Sequence, residues 1–378
     1  MRTSILLPLF ASSVLTAPAE SNTPHDEAGA VFALTNVAAD NKVIAFSRSA
    51  SGVLTQVGEY STGGRGQGVD FDTQGGLQLD QSNKFLYAVN PTDDLVTVFC
   101  VDGSKLSKVQ TIYAGDQPLS IALSKNGYAY VMDGSVASTG IFGFKVNPID
   151  GTLSPITNQT IALSTPIGVP GDVTFSPDGH TLVVTNKVGS TLDVFSVDDL
   201  GHASAAPITT IASSGVRPFA ATFHNDFLYV IESGLPSLKN AALSTYRLNG
   251  GQAPSLTAIT KAERNEQTDG CWVVVTKDGK YAYTANFVSG SISSYALSAD
   301  GSAKLINGQA ALPGGQGSQP VDLVLSHDGR YLYNLLRGSG AVAGFEIQGD
   351  GSLKQVGDLA GKGMGLPAAD GASGLAGY

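Results

Sequence analysis

The chain has 378 residues, of which 46 are glycine and only 14% are charged, and its formal net charge is −10. That length ordinarily means two domains, but sparse charge, abundant glycine and no sustained helical periodicity point to many short strands joined by tight turns. Basic residues are scattered with no Lys/Arg tract, which excludes nucleic acid and anionic membrane surfaces as partners.

Residues 1–19 carry one early arginine, an apolar middle and small residues at the end. This is the pattern of a secretory signal peptide, cut after Ala17 or Ala19. No later segment is long and apolar enough to cross a bilayer as a helix. Residues 20–378 are therefore expected as a single secreted, extracellular domain. Asn158-Gln159-Thr160 is the usable N-glycosylation sequon, because Pro91 blocks the one at Asn90.

Past the leader the chain repeats itself. VFALTN (31–36) reads as the second strand of a unit that lacks its first. There follow LQLDQSNKFLYAVN, IALSKNGYAYVMD, VTFSPDGHTLVVTN, ATFHNDFLYVIES, VVVTKDGKYAYTAN and LVLSHDGRYLYNLL. They begin at Leu77, Ile121, Val173, Ala221, Val273 and Leu323, at intervals of 44, 52, 48, 52 and 50 residues. A period of that length filled only with strands predicts a β-propeller. GASGLAGY (371–378) reads as a first strand with nothing after it, and Leu375 lies 52 residues past Leu323. The C-terminus is therefore expected to supply the innermost strand of the first blade, pairing two edges that would otherwise be exposed. The fold class is all-β, a seven-bladed propeller closed in this way.

The two cysteines fall in blades that are not neighbours. Cys100 ends a third strand in the second blade, and Cys271 begins the inner strand of the sixth. A disulfide needs Cα atoms about 4.4–6.8 Å apart, so none is expected. Both cysteines read as small buried hydrophobes.

Propeller geometry sorts the loops. With strands a to d running from channel to rim, the a–b and c–d turns lie on one face. The b–c and d–a loops surround the mouth of the channel on the other. The a–b turns (SKNG, SPDG, TKDG, SHDG) and the c–d turns are short and generic. His180, His224 and His327 fall in or beside a–b turns, His202 in a c–d turn, and His25 in the N-terminal tail. No histidine is expected at the mouth, so neither a His-based dyad nor a His-rich metal site is expected. No GxSxG elbow is present.

Mouth-facing candidates follow from the same sorting. Arg65 and Gln67 lie in GGRGQG, Asn90 ends a second strand, and Asn186 and Lys187 follow the fourth blade's. Arg217 lies in GVRPFA, Glu232 in VIESG, and Glu266, Gln267, Thr268 and Asp269 precede Trp272. Asn286 and Arg337 end the second strands of the sixth and seventh blades. Arg65 and Arg217 could hold a carboxylate or stabilise an oxyanion; the alternative is that each braces a loop. Glu232 is the candidate general acid or base, against an ion pair with Lys187 or an arginine. Strand-end asparagines commonly cap turns. GGRGQG is no phosphate loop, since no Lys-Ser/Thr or helix follows. Trp272 reads as blade core.

The runs GGRGQG…QGGLQLDQSNKFLYAVN, VTFSPDGHTLVVTNK, GVRPFA, VIES and CWVVVTKDGKYAYTAN resemble the lactonase family of seven-bladed propellers over nearly all of residues 20–378. That family includes propeller 6-phosphogluconolactonases and fungal carboxymuconate cyclases. The resemblance implies a small-molecule lactone or unsaturated carboxylate as ligand and no cofactor. Its characterised enzymes carry a histidine-containing stretch where this chain has GVPGDVTFS (168–176), so no histidine role carries over. Two readings stand. One is a lactone hydrolase or cycloisomerase using Glu232, Arg65 and Arg217, with Gln67, Asn90, Asn186, Lys187, Gln267, Asn286 and Arg337 binding substrate. The other is a non-catalytic binding module or surface antigen.

Overall fold

The computed structural model describes residues 27–135, 139–315, 317–369 and 371–378. The leader at 1–19 and His25 lie outside them. The described residues form seven four-stranded antiparallel sheets, and in each the strands follow one another from inside to outside. The inner strands are Leu77–Leu79, Pro118–Leu123, Pro170–Phe175, Pro218–His224, Gly270–Val275, Pro320–Leu325 and Leu375–Gly377. All six repeat starts read from the sequence fall in the first six of these.

Burial explains the strand compositions. Second strands such as Thr181–Asn186 and Tyr331–Leu336 are buried at every residue, because a neighbouring blade covers each face. The outer strand Leu54–Ser61 alternates partly buried with exposed residues, as period-two geometry dictates for one covered face.

The repeated Tyr and Asp-Gly motifs tie blades together. A tyrosine on a second strand reaches the c–d turn of the next blade. Tyr87 donates to the Gly151 carbonyl at 2.8 Å, Tyr130 to Gly201 at 2.9 Å, Tyr283 to Gly351 at 3.0 Å and Tyr333 to Gly52 at 2.8 Å. A buried phenol needs such a partner. The turn glycine is required twice over at Gly201. Its φ is +81°, and a Cβ there would lie 2.2 Å from the Tyr128 ring.

Ring closure is as expected. The last strand pairs with Glu27–Leu34 through Val31–Gly377, Phe32–Ala376 and Ala33–Leu375. Asp322 of the seventh blade accepts the Gly374 N–H at 2.7 Å. Buried Arg48 donates to the Tyr378 carbonyl at 3.2 Å and the Ala28 carbonyl at 2.7 Å, joining the first blade's second strand to the closing strand. The cysteines are free, as expected, but Cys100 is exposed rather than buried. The first exposed position of its strand, just past the buried run Val96–Phe99, receives that side chain.

Candidate active site at the channel mouth

One backbone device shapes the mouth. The residue before each inner strand from the third blade to the seventh is left-handed: Gln117 (φ 60°), Val169 (48°), Arg217 (64°), Asp269 (63°) and Gln319 (50°). Their carbonyls accept the N–H of Gly134, Lys187, Ser233, Phe287 and Arg337, each just past a second strand. Two tiers of side chains therefore ring the mouth. Left-handed backbone at non-glycine residues costs of order 1–3 kcal/mol each and gathers where function over-determines geometry.

The chain crosses its own channel between Asp70 and Gly75. Thr73 donates its hydroxyl to the Leu119 carbonyl at 2.9 Å and accepts the Trp272 indole N–H at 3.2 Å. The Gln74 N–H donates to the Gly171 carbonyl at 3.0 Å, and its side-chain oxygen accepts the Val273 N–H at 3.1 Å. The Ile121 N–H reaches the Gly75 carbonyl at 3.0 Å. One short segment thus touches the inner strands of the third, fourth and sixth blades.

This segment brings two aspartates to the cations of the mouth. Lys187 Nζ lies 2.7 Å from Asp72 Oδ2 and also donates to the Asp72 carbonyl. Arg217 Nη2 lies 3.4 Å from the same Oδ2, and Arg337 Nη1 lies 3.7 Å from Asp70 Oδ2. Lys187 is buried beneath the Phe219 ring, 4.7 Å from its centroid, and desolvation pulls its pKa below the ordinary lysine value. Asp269 accepts the Cys271 thiol at 3.3 Å. Burial raises the Asp70 and Asp269 carboxyls, and the charge of Asp72 pushes both further in the same direction. Cys271 is raised well above an ordinary thiol by burial and then by the carboxylate of Asp269, so it stays a proton donor rather than a nucleophile.

Of the residues singled out in the sequence, Lys187, Arg217, Arg337 and Asp269 meet here. The others do not. Arg65 is exposed and pairs with Asp93 at 2.7 Å, which raises the guanidinium's pKa through that hydrogen bond. Glu232 is fully buried. Its Oε1 accepts the Ser213 hydroxyl at 2.8 Å and the Gly215 N–H at 3.1 Å, and desolvation lifts the carboxyl to about 7. Arg65, Arg217 and Glu232 share no hydrogen-bond or ion-pair partner among the described residues. Glu232 pairs with neither Lys187 nor an arginine.

Asn90 bonds Asn41, Thr62 and Thr97, and Asn286 bonds Asn265, Ser291 and Ser293. Both are buried loop braces. Gln267 is likewise buried, holding Asn265, Ser291 and Gln309. Both side-chain ends of buried Asn186 lack a hydrogen-bond partner. Gln67 is held by its backbone, through Asn36 Oδ1 at 2.7 Å. Trp272 is core, packed on Phe219 with centroids 5.0 Å apart. Asp70 and Asp72 were not among the sequence candidates. The V-D-F-D run just past GGRGQG, in the longest loop entering an inner strand from blade one, was the available signal. Among the described residues no group of three or more His, Cys, Asp or Glu side chains is arranged to hold a metal ion.

Structural likeness extends across the chain. A candidate 6-phosphogluconolactonase from Bacteroides fragilis superposes with a TM-score of 0.73 at 16% identity, covering 94% of this chain and 99% of the other. The periplasmic gluconolactonase of Pseudomonas aeruginosa gives 0.72 at 16% identity, covering 93% and 99%. A Lactobacillus plantarum protein gives 0.69 at 15% identity, covering 93% and 99%. No curated protein matches in sequence. At these identities the likeness establishes the fold. The sequence profile described as lactonase, 7-bladed beta-propeller, matches residues 32–169 and 203–321, and the chain belongs to that family.

Proposed function

We propose that the protein hydrolyses a lactone at the channel mouth. The observation that carries this reading is the joint placement of desolvated carboxyls with cations: Asp70 and Asp269 titrate above the usual range beside Arg217, Arg337 and Lys187. Carboxyls raised in this way are better proton acceptors than ordinary aspartates. Asp269 takes a proton from water as its oxygen bonds to the lactone carbonyl carbon. Arg217, one-third exposed, holds the developing oxyanion. The ring C–O bond then breaks, and the leaving alkoxide takes the proton from Asp269, giving a hydroxy acid. The family and the names of the two bacterial lactonase-like structures support the same chemistry. Cycloisomerisation of an unsaturated carboxylate is the finer alternative, with the arginines orienting the carboxylate. Asn158 is exposed on an outer strand, which leaves room for a glycan at that sequon.

A pH-stat screen of γ- and δ-lactones, with Asp269→Asn and Arg217→Met alongside, tests this. Turnover reduced about 100-fold or more by each variant is expected. Turnover that survives both would remove the assigned residues. The second reading, a binding module, is favoured by the crossing of the channel by Asp70–Gly75, and absence of turnover on every lactone would move the assignment there.

A further inference from the structure

A cleft of about 360 Å³ opens on the turn face between the second and third blades. That volume lies within the range of small-molecule sites, about 300–1,000 Å³. Its floor is apolar. Phe85 and Tyr87 are buried there, and half-buried Leu123 and Val146 line it beside them. The Tyr87 hydroxyl is already bonded to the Gly151 carbonyl, so the phenol asks nothing of a ligand. Exposed Lys84 and Lys125 line the same cleft, together with Asp80.

Neither lysine forms an ion pair among the described residues. The cause lies in the turns. In the fourth, sixth and seventh blades the third residue of the a–b turn is Asp178, Asp278 or Asp328. Each caps its own turn through Oδ1. Oδ2 of Asp278 then meets Lys280 at 3.0 Å, and Oδ2 of Asp328 lies 3.8 Å from Arg48. The two turns that flank this cleft carry Ser82 and Asn126 at that position instead. Asp80 does not replace the missing acid. Its Oδ1 accepts the Lys84 and Phe85 N–H groups at 2.7 and 2.8 Å, and its Oδ2 accepts the Ser82 N–H and hydroxyl. Lys125 feels the charge of Asp178 across the next junction without pairing with it.

Other turn-face clefts differ. Between the sixth and seventh blades the cations are engaged: Lys280 by Asp278, Lys277 by the His327 carbonyl at 2.6 Å, and Arg330 by Glu346 at 3.7 Å. Between the fourth and fifth blades the lining includes Asp178 and Asp198 and no lysine. Of these three clefts, only the first presents unpaired lysines, in a chain whose net charge is −10.

We propose that this cleft binds a small monocarboxylate with an apolar body of aryl size, its carboxylate between Lys84 and Lys125 and its body over Phe85, Leu123 and Val146. The ligand's anion takes the part that turn aspartates play in the other blades. Its body removes apolar surface from water. A doubly charged phosphate would bring its second charge against Asp80, and a neutral ligand would leave both ammonium groups unused. The cleft lies on the face opposite Asp70 and Asp269, so this site is independent of the hydrolase reading.

Equilibrium dialysis of 2-naphthoate, read by its own fluorescence, tests this against the wild type, Lys84→Gln, Lys125→Gln and the double variant. Both side chains are exposed and unpaired, so their loss leaves the fold intact. Each single variant is expected to weaken binding about 2- to 5-fold, and the double variant more. Benzoate, with the smaller body, is expected to bind about 10-fold more weakly than naphthoate. The uncharged 2-naphthamide should bind the wild type no better than naphthoate binds the double variant. Lys280→Gln, at a junction whose lysine is paired, should change nothing. Failure of the wild type to bind naphthoate overturns the inference, as does binding that the double variant keeps. Naphthamide bound as tightly as naphthoate, or inorganic phosphate displacing naphthoate better than benzoate does, also overturns it. Binding that Arg217→Met abolishes while the lysine variants keep it places the anion at the mouth and does the same.

Discussion

The two faces of the propeller satisfy their polar groups in opposite ways. On the turn face an aspartate caps the residue two positions on. Asp150, Asp300 and Asp350 each accept the hydroxyl and N–H of Thr152, Ser302 and Ser352. Those hydroxyl bonds, then the backbone ones, hold the carboxyls below the ordinary aspartate value. At the mouth, Asp72 meets Lys187 and Thr73 meets Trp272 across 115 and 199 residues. Burial there moves Asp70, Asp269, Cys271 and Lys187 away from their charged forms. Local capping stabilises each turn by itself. Long-range pairing leaves groups whose charge depends on the whole ring being closed.

Variants that cut across this contrast give graded effects. Trp272→Ala removes a buried indole and its bond to the crossing segment, and is expected to cost about 3–5 kcal/mol in denaturant unfolding. Asp72→Ala leaves buried Lys187 without its anion and is expected to cost about 1–3 kcal/mol. A turn-face control, Asp300→Ala, removes one local cap and should move the unfolding midpoint far less. Equal losses from Asp72→Ala and Asp300→Ala would erase the distinction between the faces.

Proton linkage sharpens it further. Glu232, Asp133 and Asp322 have folded values of about 7, raised by burial from ordinary values of 4.5, 3.8 and 3.8. The folded state then binds more protons than the unfolded state between these limits. These groups therefore penalise stability progressively as pH rises from about 4 to about 7, and fully above that. Thermal midpoints measured across this window should fall with rising pH, and Glu232→Gln should shallow the slope. A midpoint that climbs over the same range in the wild type would contradict the placement of these carboxyls. The smallest effect is chemical: exposed Cys100 should react with a thiol reagent in the native state while buried Cys271 waits for unfolding.

The fold was legible because the period is imposed by blade size and each copy carries its own turn. The closing strand was legible because Leu375 keeps that period. The site was legible only in part. Lys187 and Arg337 follow a second strand, where the pleat turns side chains toward the channel. Asn90, Glu232 and Asn286 stand one residue earlier, where the same pleat turns them into the blade. A step of one residue separates the two outcomes, and sequence position alone marked both as mouth-facing. Asp70 and Asp72 escaped notice because they reach the mouth on a segment outside the repeat, through partners far along the chain.

The pairing of Leu375–Gly377 with Glu27–Leu34 also sets the polarity of attachment. Glu27 begins a strand that runs toward the mouth, and Tyr378 ends one that runs away from it, so Glu27 and Tyr378 both lie at the turn face, where Arg48 bonds the Ala28 and Tyr378 carbonyls. A carrier or bead coupled beside Tyr378 grips the molecule by its turn face. The mouth, with Asp70, Asp72 and their cations, then points away from the support.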